Sequence, residues 1–223
     1  LTDRISSVLF CPTEQAIKNL HQEGFKQFPC TLLNCGDVMQ DAALFYANKA
    51  KHPDFLLPEH FILATLHRAE NTDSPERLQS IIAALEEIAR EMPAVIPIHP
   101  RTRKKLQELN FNFKQTRLQL VDPVGYLEMV YLLKHCSLVA TDSGGLQKEA
   151  YFFKKYCITL RTETEWVELV EQGANIITGW RYEDILNSYK QLKHTTKDVF
   201  SSPLYGDGQA GHIIIRELQR IDS

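Results

Sequence analysis

The chain has 223 residues, 43% hydrophobic and 24% charged, with a formal net charge of −3, which excludes a disordered polyelectrolyte and argues against nucleic acid as the main partner. No apolar run approaches the ~20 residues needed to span a bilayer and no signal peptide is visible, so no membrane partner and a cytoplasmic location are expected. Five cysteines, at 11, 30, 35, 136 and 157, form no C-x-x-C pair and read as reduced thiols.

Val8–Cys11 is a short strand candidate. Pro12 and Thr13 open a helix to about Glu23, with Thr13 as cap, Glu14 at its positive end and Ala16, Ile17 and Leu20 on one apolar face; Gly24 ends it. Thr31–Asn34 reads as a strand, and Cys35-Gly36-Asp37 turns into a helix over about 39–49. Residues 50–60, with Pro53 and Pro58, read as a surface connector.

From residue 61 the pattern is regular. A strand over 61–66 runs into a polar loop, His67-Arg68-Ala69-Glu70-Asn71. A helix then begins at Pro75, capped by Asp73 or Ser74, with apolar residues at 78, 81, 82, 85, 88 and 89. A strand over 94–98 leads to His99-Pro100-Arg101 and a short basic helix over about 102–109, whose Arg101, Arg103, Lys104 and Lys105 read as a solvated face. Next come a strand at 117–121, a helix at 126–135 and a strand at 137–140. The turn Thr141-Asp142-Ser143-Gly144-Gly145 then opens a helix over 146–155. A strand at 157–160, a helix over 163–171 closed by Gly173, a strand at 174–178 and helices over 182–194 and 208–220 complete the chain.

Short strands alternating with helices predict an α/β fold, a Rossmann-like doubly wound parallel sheet whose strands are covered on both faces. Right-handed crossovers place all strand carboxyl ends on one edge, and ligands of such sheets bind outside it. On that edge fall His67, His99, Asp142 with Ser143, and Arg161. The Ser-Gly-Gly turn reads in two ways. It is an ordinary helix start capped by Ser143, or a phosphate site where free N–H groups and the helix dipole meet an anion and Glu149, one turn further on, accepts hydrogen bonds from a ribose diol. The clustering of polar strand ends favours a phosphorylated ligand.

The eight histidines match no metal-binding spacing, so no metal and no cofactor are expected. Ser143 lies in D-S-G-G rather than in a nucleophile elbow. Neither a P-loop nor a dinucleotide fingerprint is present.

Five segments resemble, in order and spacing, the non-hydrolysing UDP-N-acetylglucosamine 2-epimerases: Leu66 to Asn71, Pro97-Ile98-His99-Pro100, Thr141 to Ala150, Leu160 to Trp166, and Tyr205-Gly206-Asp207-Gly208. The resemblance implies the C-terminal half of a GT-B-like two-domain fold. On that basis residues 1–34 are a remnant of the N-terminal Rossmann-like domain, 35–204 the UDP-binding domain, and 205–223 a helix crossing back toward the first domain. It implies inversion at C2 of a UDP-linked N-acetyl sugar by elimination and re-addition of UDP. Ser143, Gly144 and Gly145 would then hold the diphosphate and Glu149 the ribose, with His67 as the catalytic group stabilising the departing UDP and Arg68 and His99 lining the same cleft. It also implies a UDP-sugar as substrate partner and a homodimer for the full-length protein. Trp166-Val167 stands where many members have Arg-Pro, a variant that looks like the subgroup acting on UDP-diacetamido-uronic acids. The chain starts at Leu1 without methionine, and the resemblance implies that the missing N-terminal residues carry the acidic groups for C2 deprotonation, leaving this chain able to bind UDP but inactive alone. A GT-B glycosyltransferase and a non-catalytic UDP-sugar-binding module are the alternatives.

Overall fold

The structure, a computed structural model, describes residues 1–221. They form two compact units, one comprising Leu1–Asn48 and the chain from Ser201 onward, the other Lys49–Phe200.

The first unit begins with a single-turn helix α1 (Thr2–Ile5), which the sequence pattern does not signal, followed by strand β1 (Val8–Cys11), helix α2 (Glu14–Gln22), strand β2 (Thr31–Asn34) and helix α3 (Val38–Ala47). Strands β1 and β2 pair in parallel. Thr13 caps α2 by accepting a hydrogen bond from Ala16 N–H at 3.1 Å, and Asp37 caps α3 through Met39 N–H at 2.8 Å.

The second unit is built on a six-stranded sheet. Its elements are β3 (Ile62–Thr65), α4 (Ala69–Thr72), α5 (Pro75–Ile88), β4 (Ala94–Pro97), α6 (Pro100–Glu108), β5 (Gln119–Val121), α7 (Tyr126–His135), β6 (Leu138–Thr141), α8 (Gly144–Phe152), β7 (Cys157–Thr159), α9 (Val167–Glu171), β8 (Asn175–Ile177) and α10 (Tyr182–Lys193). The strand order is β5-β4-β3-β6-β7-β8, and every pair is parallel. Chain order reverses between β3 and β6, which makes the gap beyond their carboxyl ends the topological switch point where such sheets bind ligands.

The alternation of side chains along each strand divides the core. Ile62, Ala64, Ile96 and Ile158 face Leu78, Ile81, Leu85 and Ile88 of α5 and Ile185 and Tyr189 of α10. Leu63, Val95, Val139 and Cys157 face Leu132 and Leu133 of α7 and Leu146 and Ala150 of α8. Both layers are dominated by apolar side chains, and each completely buried Leu or Ile contributes about 1.5–3 kcal/mol by leaving water. Burial also pushes the Cys136 and Cys157 thiols up to about 12, so both stay protonated and inert.

The C-terminal helix α11 (Ala210–Ile221) belongs to the first unit. Asp41 on α3 accepts hydrogen bonds from Ala210 N–H (3.2 Å) and Gly211 N–H (2.7 Å), tying the start of α11 to α3. Asp37 N–H donates to Tyr205 C=O at 2.8 Å. These ties lie within the first compact unit, which includes α3. They also give Tyr205-Gly206-Asp207-Gly208 a local structural role: Tyr205 is 1% exposed, and Gly36 packs directly on its carbonyl.

Two other expectations shift. The stretch 67–71, read as a loop, contains α4. The helix expected over 163–171 begins only at Val167. Residues 161–166 are drawn onto α8 instead: Thr164 Oγ1 donates to Gln147 Oε1 (2.7 Å) and Trp166 Nε1 donates to Gly144 C=O (2.8 Å). Among the described residues no helix is long and apolar enough to cross a membrane.

Candidate functional site

Strands β3 and β6 end in register at Thr65 and Thr141, whose hydroxyls share a hydrogen bond of 2.6 Å. Thr141 Oγ1 also accepts from Ser143 N–H at 2.9 Å, which fixes the chain as it leaves β6. Ser143 then caps α8 through Leu146 N–H at 3.5 Å. Both sequence readings of this turn are compatible with that geometry, because an N-cap hydroxyl satisfies one amide and leaves the helix's first N–H groups for a ligand.

Between the two strand ends lies Asp142, whose side chain is completely buried. Its carboxylate accepts hydrogen bonds from His67 N–H (3.1 Å), Arg68 N–H (2.9 Å) and Asn71 Nδ2 (3.2 Å). Asn71 Nδ2 also donates to Leu160 C=O at 2.9 Å. The His-Arg-Ala-Glu-Asn segment is thus folded around one acidic group at the end of the neighbouring strand. The imidazole of His67 remains 44% exposed, with Nε2 3.9 Å from Asp142 Oδ1. His99, at the end of β4, caps α6 by accepting Arg101 N–H on Nδ1 at 3.2 Å. That bond leaves Nε2 carrying the proton of the neutral ring.

These groups border a cleft of about 280 Å³ at the switch point. Ser143, Gly145 and Glu149 line one side, and His67 and His99 line another. Apart from Thr65, the remaining wall is apolar, formed by Leu66, Pro97, Pro123, Val124, Met129 and Leu146. Burial raises the Glu149 carboxyl above the usual range, while the Tyr126 hydroxyl and the Lys148 ammonium act in the opposite sense. A carboxylate flanked by a phosphate-type turn and an apolar slot suits a nucleotide: anion at the helix start, sugar diol at the carboxylate, flat base against the apolar wall.

Gly144 and Arg68 stand on the outer flank of the turn. A Cβ on Gly144 would lie 3.5 Å from Glu165 Oε2, 3.6 Å from Trp166 Nε1 and 3.7 Å from Arg68 Nη2. Arg161, expected on the ligand edge, is only 7% exposed and does not line the cleft. It donates through Nη1 to both oxygens of Glu165 (3.0 and 2.8 Å), and its Nε is 3.5 Å from Glu70. This pairing holds the Glu165 carboxyl below its ordinary range.

All seven candidate residues therefore gather around one turn, five lining the cleft and Gly144 and Arg68 beside it. Sequence reasoning did not single out Pro123, Val124 or Met129. Applying the carboxyl-edge rule to the strand ending at Val121 would have found the first two. Met129 is one helical turn past Tyr126, and nothing local marks it. Gln147 was also missed; it is fully buried, and its amide joins Ser143 C=O, Thr164 and Asn175. Among the described residues no cluster of three or more His, Cys, Asp or Glu is placed to hold a metal ion.

The model of the UDP-N-acetylglucosamine 2-epimerase family matches residues 1–219. Over 224 residues the chain is 50% identical to the UDP-2,3-diacetamido-2,3-dideoxy-D-glucuronate 2-epimerase of Pseudomonas aeruginosa, covering 99% of this chain and 62% of that protein. It is 40% identical to a UDP-N-acetylglucosamine 2-epimerase homologue of Methanococcus maripaludis, covering 99% of the chain and 63% of the relative. Among solved structures, the UDP-GlcNAc 2-epimerase of Methanocaldococcus jannaschii in complex with UDP-GlcNAc and UDP superposes with a TM-score of 0.85 at 37% identity, over 99% of this chain and 63% of that one. The chain thus spans less than two thirds of the length of these relatives. With a family match over nearly every residue and the motif residues assembled on one sheet edge, the chain belongs to the UDP-N-acetylglucosamine 2-epimerase family.

Proposed function

We propose that this chain carries the UDP-binding side of a sugar-nucleotide 2-epimerase. The observation that carries the reading is the convergence of Ser143, Gly145, Glu149, His67 and His99 on one cleft at the switch point. The diphosphate lies at the start of α8, with Gly144 and Gly145 presenting backbone N–H groups to it and Ser143 its hydroxyl. Glu149 takes the ribose hydroxyls. The uracil lies against Pro123, Val124 and Met129, with His99 at its edge. His67 and Arg68 face the phosphate oxygens.

The reaction proposed is loss of the C2 proton, departure of UDP with the electron pair of the C1–O bond, and re-addition of UDP after C2 is protonated on the other face. Negative charge grows on the phosphate oxygen as that bond breaks. A hydrogen-bond donor there lowers the barrier, and that is the role proposed for the His67 imidazole, whose backbone is held by Asp142. The sugar proposed is a UDP-linked diacetamido-uronic acid. The 50% identity to the P. aeruginosa relative and the Glu163-Thr164-Glu165-Trp166 sequence support that choice over plain N-acetylglucosamine. Among the described residues, Glu149 is the only carboxylate lining the cleft, and ribose binding occupies it. The chain by itself is therefore proposed to bind UDP without epimerising the sugar.

Calorimetry on the purified chain tests the first half: UDP is expected to bind, and absence of both heat and a melting shift overturns the reading. Incubation with the UDP-sugar and no acceptor, followed by product analysis, tests the second half. Recovery of the 2-epimer at a catalytic rate contradicts it.

A further inference from the structure

A charged chain of four residues flanks the diphosphate turn: Glu70, Arg161, Glu165 and Arg68. Arg161 is nearly buried and is committed on both sides, to Glu70 at 3.5 Å and to Glu165 through the two Nη1 contacts. That pairing holds Glu165 beside the turn. Its carboxylate is half exposed, its Oε1 is 4.0 Å from Arg68 Nη2, and its Oε2 is 3.5 Å from the position of a Cβ on Gly144. Trp166 borders the turn as well, its indole N–H donated to Gly144 C=O and the Lys148 ammonium over its ring at 4.3 Å. The half-exposed cation next to the turn is Arg68, and the anion beside it, held by Arg161, is Glu165. A carboxylate held beside an anion site weakens that site by engaging the cation the ligand needs.

We propose that Glu165 sets the diphosphate affinity of this site by competing with the ligand for the Arg68 guanidinium. The proposal rests on the reading of the cleft as a UDP site and adds an element to it. An incoming diphosphate draws Arg68 from Glu165, while Arg161 retains Glu165 in place. Glu165 is a positioning residue here: it acts through Arg68 and makes no contact with the nucleotide. The arrangement moderates the hold on free UDP, which suits a site where UDP must leave the sugar and rejoin it.

The test is calorimetry with UDP and with uridine on the 223-residue chain and its variants. Glu165→Gln keeps an acceptor for Arg161 and removes the charge. It is expected to tighten UDP by about threefold to fivefold, the scale of a partly exposed ion pair, with uridine unchanged. Glu165→Asp keeps the charge but draws it back from Arg68, and is expected to tighten UDP less than Glu165→Gln. Arg68→Gln is expected to weaken UDP and leave uridine unchanged, and Arg68→Lys to recover part of the loss. In the Arg68→Gln background, Glu165→Gln is expected to have a smaller effect than in the wild type. Unchanged or weaker UDP binding by both Glu165 variants overturns the proposal while leaving the site reading intact. A wild-type chain that takes neither uridine nor UDP overturns both.

Discussion

The carboxylate of Asp142, at the end of β6, accepts the backbone N–H of His67, at the end of β3, at 3.1 Å. Residues 75 apart in sequence are joined at the switch point of the sheet by one buried acidic group. Asp142→Asn replaces one acceptor oxygen with a donor facing N–H groups. Charge-assisted hydrogen bonds of this kind contribute about 1.5–3 kcal/mol each and leave costly orphans when broken. The variant is expected to lose about 2–3 kcal/mol of stability by urea unfolding. UDP affinity is expected to fall alongside, because the His67 segment loses its anchor. A variant with wild-type stability and affinity would show that the segment is held by other contacts.

Glu149 illustrates a conflict between binding and stability. Its carboxyl is raised above 4.5 chiefly by burial. A raised folded-state value means that the protonated form is favoured by folding. The associated stability is therefore complete below the unfolded value and is lost as pH rises through the folded one. Glu149→Gln is neutral at all pH, so it is expected to melt higher than the wild type at pH 7 and to lose that advantage near pH 4. UDP and uridine are both expected to bind it more weakly, since each carries the ribose diol. Melting curves at the two pH values and calorimetry check the pair of outcomes.

Trp166 ties residues 161–166 to the first turn of α8 through Gly144 C=O. Trp166→Phe keeps the ring stacked with Lys148 and removes the N–H donor. About 1 kcal/mol of stability is expected to go with that bond. Replacing Trp180, the other tryptophan, by Phe leaves Trp166 as the sole reporter. UDP is then expected to change its fluorescence, whereas a ligand held elsewhere would leave the emission unaltered.

Gly36 has φ +82°, and a Cβ there would meet Tyr205 O at 2.8 Å. Gly36→Ala combines an unfavourable left-handed backbone with a collision against main chain, where no flexible side chain can yield. A loss of about 1–3 kcal/mol is expected, seen as a lower unfolding midpoint. The cleft proposed for the nucleotide is lined by residues of the second unit, so UDP affinity per folded molecule is expected to stay at the wild-type value.

The local patterns of the chain determined a good deal. The 3.6-residue spacing of Leu78, Ile81, Leu85 and Ile88 specified a helix with one buried face. Thr13, Ser74 and Ser143 marked helix starts because a short oxygen-bearing side chain satisfies an end amide without any distant partner. Alternating strands and helices specified a parallel sheet, and with it the edge on which His67, His99, Ser143 and Arg161 emerge. Each of these signals acts within a few residues and is therefore written in sequence. What the tertiary structure decided was how those emergent groups pair. Arg161 shared the edge with the others, yet it turned inward to Glu70 and Glu165, leaving Arg68 beside the turn. The helix read over 163–171 gave up its first turn because Thr164 and Trp166 found partners on α8. Asp142 became the anchor of the His67 segment only because β3 lies next to β6, and Met129 reached the cleft only because α7 leads into β6. Neighbourhood within a sheet is set by the crossovers and by long-range strand pairing, which no spacing along the chain records. The same ten residues around the Ser-Gly-Gly turn are thus a capped helix start in sequence and one wall of a nucleotide-sized cleft in the fold.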